Sequence, residues 1–201
     1  MTKILIADDH PVVRKGIKEI ITAFMGKIEF GEAVGAQQAI TESKERNWDL
    51  IMLDLSMPGK SGLDTLKQIR QANPKSPVLV LSMHPESQFA LRAIRAGASS
   101  YLSKDADIEE LKNAITSLLH GGKYINRTIA EKIAEYLDNN IQKPLHEALT
   151  DREYQVLCML ASGKKLKEIS KAMSLSIKTI SLCRQRILEK MHAKGNNELT
   201  Q

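Results

Sequence analysis

The sequence predicts an α/β sandwich around a five-stranded parallel sheet, joined to a small all-helical domain. Three observations lead there. Over residues 1–120, five short apolar runs alternate with stretches of helical periodicity, the pattern of parallel strands joined by right-handed crossover helices. The runs are nearly unbroken in apolar character, as strands covered on both faces are. From Thr150 onward every pattern is helical.

The apolar runs come in order as Ile4-Leu5-Ile6-Ala7, roughly Ile28 to Val34, Leu50-Ile51-Met52-Leu53, Val78-Leu79-Val80-Leu81 and Ser100-Tyr101-Leu102. Four of the intervening helices have named inward positions. Val13, Ile17, Ile20 and Ile21 mark the first; Leu63, Leu66 and Ile69 another. Leu91, Ala93 and Ile94 mark the next, and Ile108, Leu111 and Ile115 the last. Gly121-Gly122 ends that last helix. The first domain is therefore residues 1–120. Residues 121–147 form a linker with one polar helix, bearing Ile129, Ile133 and Leu137 on one side, and an irregular stretch from Asp138 to Pro144.

Residues 148–201 form the second domain. Thr150-Asp151-Arg152-Glu153 is a capping box, with Leu149 and Tyr154 as its hydrophobic staple. One helix covers 151–161, with Val156, Leu157 and Leu160 inward, and Gly163 ends it. Leu166 to Met173 is a short second helix. Ser174-Leu175-Ser176 is a tight turn, and Ser176 caps a third helix through the amide of Lys178 or Thr179. Short helix, turn and longer basic helix make a helix-turn-helix. On the third helix, Ile177, Ile180, Cys183, Ile187 and Met191 fall on one side and are expected to pack inward. The last helix barely begins before Leu199-Thr200-Gln201.

Charge divides along the same boundary. Residues 1–120 carry 15 Lys/Arg and 15 Asp/Glu, and residues 150–201 carry 10 and 5. The chain's net charge of +5 therefore belongs to the second domain, as expected of a module that meets a polyanion. No apolar run approaches the length that spans a bilayer, and the start of the chain turns acidic too soon for a signal peptide. Cys158 and Cys183 have no spacing of a disulfide framework or metal site. A reducing, cytoplasmic setting is expected, with no membrane partner.

The chemistry of the first domain lies at strand ends. Asp8 and Asp9 follow the first strand, Asp54 ends the third, Ser82 ends the fourth and Lys104 follows the fifth. With strand order 2-1-3-4-5 the carboxylates converge at the topological switch point, where ligands of such sheets bind. Clustered carboxylates repel, and a hard cation such as Mg²⁺ relieves that repulsion. Asp54 is placed to attack a phosphoryl group, and the metal and Lys104 to neutralise its charge. Ser82 is placed to donate to a phosphoryl oxygen. For Tyr101 the residues alone predict a half-buried strand aromatic.

In the second domain Lys178, Ser181, Leu182 and Gln185 recur at i, i+3, i+4 and i+7 on the outer side of the third helix. Such a face suits a major groove, with polar donors for base edges and Leu182 for a thymine methyl. Lys178, Thr179, Arg184 and Arg186 suit phosphates. A solvated basic helix surface would carry the same residues.

Two resemblances sharpen these readings. Ile6-Ala7-Asp8-Asp9-His10, Leu53-Asp54-Leu55-Ser56-Met57-Pro58-Gly59, Leu81-Ser82 and Tyr101-Leu102-Ser103-Lys104 resemble the signatures of response-regulator receiver domains, over residues 1 to about 120. The resemblance implies a flavodoxin-like fold and phosphorylation of Asp54 by a sensor histidine kinase. It implies Mg²⁺ held by Asp8, Asp9, Asp54 and the backbone carbonyl of Ser56, with Ser82 and Tyr101 as switch residues. Leu149-Thr150-Asp151-Arg152-Glu153, Val156-Leu157, Gly163, Lys167-Glu168-Ile169-Ser170 and Ser176-Ile177-Lys178-Thr179-Ile180-Ser181 are similar to the LuxR-type DNA-binding domain of the NarL/FixJ class. That implies a third helix reading double-stranded promoter DNA, usually as a dimer, and a homodimer when phosphorylated. Ser170 stands where alanine is common, and Leu182-Cys183 where a more polar or aromatic pair is common. Members usually continue into a full fourth helix that helps dimerise the domain.

The expected function is thus a phosphorylation-controlled transcriptional regulator of a two-component system, and not an enzyme. A phosphatase with an aspartyl nucleophile would need an acid/base carboxylate two residues after Asp54, where Ser56 stands. An adaptor that binds protein or RNA through the helical domain is the other alternative, and salt dependence of duplex binding separates it.

Overall fold

The computed structural model describes residues 1–57, 61–138, 145–173, 175–193 and 195–199. It contains two compact units, Met1–Leu137 and Asp138–Gln201. Pro58 and Gly59, most of the irregular linker, Ser174 and the final Thr200 and Gln201 lie outside the described residues.

In the first unit the strands are β1 (Lys3–Ala7), β2 (Glu29–Ala33), β3 (Leu50–Asp54), β4 (Val78–Ser82) and β5 (Ser100–Ser103). All pairs are parallel, in the order β2-β1-β3-β4-β5. Helices α1 (Pro11–Met25), α2 (Ala36–Glu45), α3 (Gly62–Ala72), α4 (Glu86–Arg95) and α5 (Ile108–Leu119) alternate with them. Ile4, Ile6, Met52, Leu79 and Leu81 share a core with Ile17 and Ile21 of α1 and with Leu111, Ile115 and Leu118 of α5. The alternate strand residues Leu5, Ile51, Leu53 and Val80 are equally buried, because successive side chains leave opposite faces of a sheet. Expected and observed strands agree to within about two residues.

The helices depart from the periodicity in informative places. The sequence marked no inward residues for α2, which buries Ala36, Ala39, Ile40 and Ser43, a face too small and polar to read as an apolar stripe. On α4 the buried residues are Phe89, Ala90 and Ala93, while Leu91 and Ile94 are only half-buried; the true stripe is set one position earlier. Ile108 opens α5 and is exposed, since the first turn lies beyond the edge of the core. Asp107 caps that helix, accepting from the Glu110 amide at 2.7 Å.

The expected linker helix is α6 (Arg127–Asp138), and it belongs with the first unit up to Leu137. Asn126 caps it, accepting from the Ile129 amide at 3.1 Å. The Asn126 side-chain amide donates to Glu86 of α4 at 2.7 Å and Glu110 of α5 at 3.0 Å. Ile129 is buried, Ile133 half-buried and Leu137 68% exposed, so burial of the apolar side expected for this helix falls off along its length.

The second unit contains α7 (Asp151–Ala161), α8 (Leu166–Ala172) and α9 (Ile177–Lys190). The capping box forms: Thr150 Oγ1 accepts from the Glu153 amide at 3.3 Å, and the Thr150 amide donates to Glu153 Oε2 at 2.8 Å. Leu149 and Tyr154 are both buried. The Glu153 carboxylate also accepts from Lys190 Nζ at 2.7 Å, joining the start of α7 to the end of α9. Ile180, Cys183 and Ile187 pack inward as expected, but Ile177 is 46% exposed and Met191 half-buried. Ile177 is the first residue of α9 and overhangs the three-helix core. Asn196–Leu199 form a single 3₁₀ turn packed on α7.

Candidate functional site

The carboxyl ends of β1, β3, β4 and β5 bring the expected acidic residues together. Asp8 and Asp54 are buried, and Lys104 Nζ donates to Asp8 Oδ2 and Asp54 Oδ2, each at 2.7 Å. These residues are 96 and 50 positions apart in sequence; strand order alone makes them neighbours. The Lys104 amide donates to the Ser82 carbonyl at 2.9 Å, which seats the lysine's backbone at the end of β4. The Ser56 amide donates to Asp54 Oδ1 at 2.8 Å. Gly62 keeps the following turn close: a Cβ there would lie 2.2 Å from the Leu55 carbonyl oxygen.

Burial pushes the Asp54 carboxyl above its ordinary value, against the pull of Lys104 and the Ser56 amide. Burial opposes the charge on Lys104, but its bonds to Asp54 and Asp8 hold its pKa above the usual lysine value. A buried carboxylate pair thus shares one cation, so the pocket retains uncompensated negative character.

Asp8, Asp9, His10 and Asp54 each offer one ligand atom, all within 4.8 Å of one another. Asp9 Oδ1 is shielded from solvent without a hydrogen bond, though His10 Nδ1 lies 3.0 Å away. An oxygen-rich set with a shielded carboxylate atom that accepts no hydrogen bond fits a hard divalent cation.

Ser82 is buried at the adjoining strand end, with its hydroxyl accepting from the His84 amide at 3.1 Å. Tyr101 is fully buried rather than half-buried, because its hydroxyl has a partner inside, the His84 carbonyl at 2.8 Å. Burial pushes the Tyr101 phenol well up. Glu86, at the start of α4, accepts from the Ser103 amide at 3.2 Å. Its other oxygen takes Asn126, so one carboxylate joins the residue before Lys104 to the head of α6.

Sequence reasoning passed over His10, Arg14, Glu32 and Glu86. A signal existed for Arg14, a charged residue in the inward stripe of α1 between Val13 and Ile17. It is buried and donates to Glu32 and to the Asp8 carbonyl.

In the second unit Lys178, Ser181, Leu182, Gln185 and Arg186 of α9 are exposed. They lie opposite the buried Ile180, Cys183 and Ile187. Thr179 is half-buried, with its hydroxyl paired to Ser176 at 2.8 Å. Arg184 Nε donates to Asn196 Oδ1 at 2.7 Å, and Gln185 donates to Glu189 at 3.1 Å. Ser176 caps α9 through the Thr179 amide at 3.0 Å. Burial raises the Cys183 thiol, which suits a packed rather than a reactive cysteine.

Comparison with known proteins agrees with both halves. Residues 4–116 match the response regulator receiver domain, and residues 147–201 match the bacterial regulatory proteins of the luxR family. The response regulator UvrY of Escherichia coli K12 is 33% identical over 201 residues, covering all of this chain and 92% of that protein. A LuxR-family two-component response regulator from Aurantimonas is 36% identical, with a TM-score of 0.62 over 69% of this chain and all of that one. The response regulator RcsB in complex with DNA is 25% identical, with a TM-score of 0.61 over 99% of this chain and 96% of its own. No described helix is long and apolar enough to cross a membrane. The matches are to regulators rather than turnover enzymes, in line with the residue at position 56. The chain belongs to the two-component response regulators that join a receiver domain to a LuxR-type helix-turn-helix domain.

Proposed function

We propose that Asp54 accepts a phosphoryl group from a sensor histidine kinase, and that this controls binding of the second unit to double-stranded promoter DNA in the cytoplasm. The observation that carries the reading is the shared lysine: Lys104 Nζ touches both Asp8 and Asp54 at 2.7 Å in a pocket lined by strand ends. Asp8, Asp9, Asp54 and the Ser56 backbone carbonyl are the residues that would hold Mg²⁺. When bound, the ion supplies charge neutralisation and a template for the phosphoryl oxygens. The chain's own groups do the rest. Asp54 attacks phosphorus, and the bond from phosphorus to the kinase histidine breaks. Lys104 offsets charge on the transferred group, and the Ser56 amide orients the nucleophile.

Ser82 then exchanges its hydrogen bond to the His84 amide for one to a phosphoryl oxygen, and Tyr101 follows through the His84 carbonyl. The α4 end moves with them, and Glu86 carries the change to Asn126 and α6. A new charge with acceptor oxygens is sufficient to bias such an arrangement.

For the second unit, the outward face of α9 supports major-groove binding. Ser181, Leu182 and Gln185 face bases, Lys178 stands where it reaches bases or a phosphate, and Arg184 and Arg186 face phosphates. Thr179 is the weakest member, since its hydroxyl already serves the cap. Promotion of a homodimer on paired half-sites completes the proposal.

The test uses acetyl phosphate with Mg²⁺. Wild-type chain acquires an acid-stable, base-labile phosphoryl group, and Asp54→Ala does not. Equal labelling of both removes the mechanism. Fragments of the source genome retained by the phosphorylated chain and released at raised salt identify the target; binding indifferent to salt points to an adaptor instead.

A further inference from the structure

We propose that Arg14 is a positioning residue for the cation site, clamping the segment Asp8-Asp9-His10 from both ends so that Asp9 faces the ion. The inference rests on the metal reading given above. Arg14 is only 9% exposed, although charged. Its guanidinium Nη1 donates to the Asp8 carbonyl at 2.8 Å. Its own amide donates to the His10 carbonyl at 3.2 Å. The side chain thus fixes the backbone before Asp9, and the helix bond, which any residue at position 14 would make, fixes it after. The Asp8 amide is fixed to the Ala33 carbonyl at 3.0 Å, and the His10 amide to Asp8 Oδ1 at 2.8 Å. Asp9 Oδ1, the shielded carboxylate atom with no hydrogen bond, is therefore aimed by this fixed backbone, with the exposed His10 ring 3.0 Å away as its side-chain neighbour.

Glu32 anchors the clamp. Its Oε2 accepts from Arg14 Nε at 2.6 Å, and its Oε1 accepts from Lys18. Those two cations hold the Glu32 carboxyl below its ordinary value, so the anchor stays charged in neutral solution. A planar guanidinium can bond a carboxylate and a carbonyl in one geometry, whereas a lysine ammonium fixes no such angle. Groups that orient metal ligands from behind typically contribute about 10- to 100-fold to metal affinity.

Charge and geometry predict opposite signs, which makes the proposal decidable. Arg14 is a cation near a cation site. By charge alone its removal favours a divalent ion. By position its removal disfavours one.

The experiment titrates MgCl₂ into ¹⁵N-labelled full chain without phosphodonor, following amide shifts around residues 8–10 and 54–57. Lys15→Gln is the charge baseline, an exposed lysine on the same helix whose ammonium lies 3.8 Å from the exposed Glu19 carboxylate. Arg14→Gln is expected to weaken Mg²⁺ about tenfold relative to that baseline. Glu32→Gln, at a position whose side chain is 39% exposed, is expected to weaken it by a smaller factor and serves if Arg14→Gln fails to fold. Labelling by acetyl phosphate gives a second readout: the Mg²⁺ needed for half-maximal rate rises, and the rate at saturating Mg²⁺ is retained. Unchanged or tighter Mg²⁺ binding in Glu32→Gln and folded Arg14→Gln overturns the clamp alone. A wild-type chain that takes up no Mg²⁺ overturns the metal reading and the clamp together.

Discussion

In the first unit the charged groups are buried and arrive from separate strand ends; in the second they are exposed and follow one another along a single helix. Asp8, Asp54 and Lys104 have little contact with solvent, so each is fixed by its neighbours, and removing one leaves the others uncompensated. Lys178, Ser181, Leu182 and Gln185 share only the outward side of α9, and each can change without disturbing the others. The contrast suits the two tasks. Covalent chemistry needs atoms held within fractions of an ångström, whereas groove reading needs an accessible face whose donors adjust on contact.

Lys104→Ala breaks the comparison hardest. It strips the shared cation from two buried carboxylates and is expected to lower the stability of the first unit by about 3 kcal/mol. Trp48, the sole tryptophan, is buried in the first unit and reports its unfolding by denaturant. Millimolar Mg²⁺ is expected to return part of the loss, and an unchanged midpoint means the pocket is far wetter than its burial implies.

The double variant Lys178→Ala with Arg186→Ala comes next. Both residues are exposed, so the second unit's unfolding midpoint is expected to stay put. If each contacts one phosphate, the slope of log affinity against log salt falls in magnitude by about 1.8. A slope that does not move shows that neither residue meets phosphate.

The smallest effect tests a place where the second unit imitates the first, the Glu153–Lys190 pair. Burial raises the Glu153 carboxyl, but the bonds from Lys190 and Thr150 outweigh it and the net shift is downward. The resulting stabilisation is complete above the ordinary glutamate value of about 4.3 and is lost as pH falls through the lowered folded value. Glu153→Gln is expected to cost about 1 kcal/mol at neutral pH and to flatten the acid limb of the second unit's stability, followed by circular dichroism. An acid limb as steep as wild type assigns the pH dependence to other carboxylates.

The strands were legible because apolar runs are local, and so was the inward face of α9 through Ile180, Cys183 and Ile187. The helix-turn-helix surface was legible for the same reason, since every residue on it belongs to one periodic element. Periodicity failed at ends and small faces. Ile177 and Ile108 read as core but sit in first turns beyond the packed layer, and α2 buries alanines and a serine that form no visible stripe.

The sequence by itself determined which residues end each strand, and so which carboxylates, hydroxyl and lysine were available for chemistry. Their partnership came through the strand order, which sequence reading had to assume. Only the tertiary structure decided that Tyr101 is wholly enclosed and that Arg14 reaches back to the Asp8 carbonyl with Glu32 behind it. It also decided that Glu86 ties β5 to α6, and that Arg184 is held by Asn196. Each of these is a hydrogen bond between distant segments. Such bonds leave no periodic trace along the chain, because their geometry exists only once the backbone has brought the partners within about 3 Å.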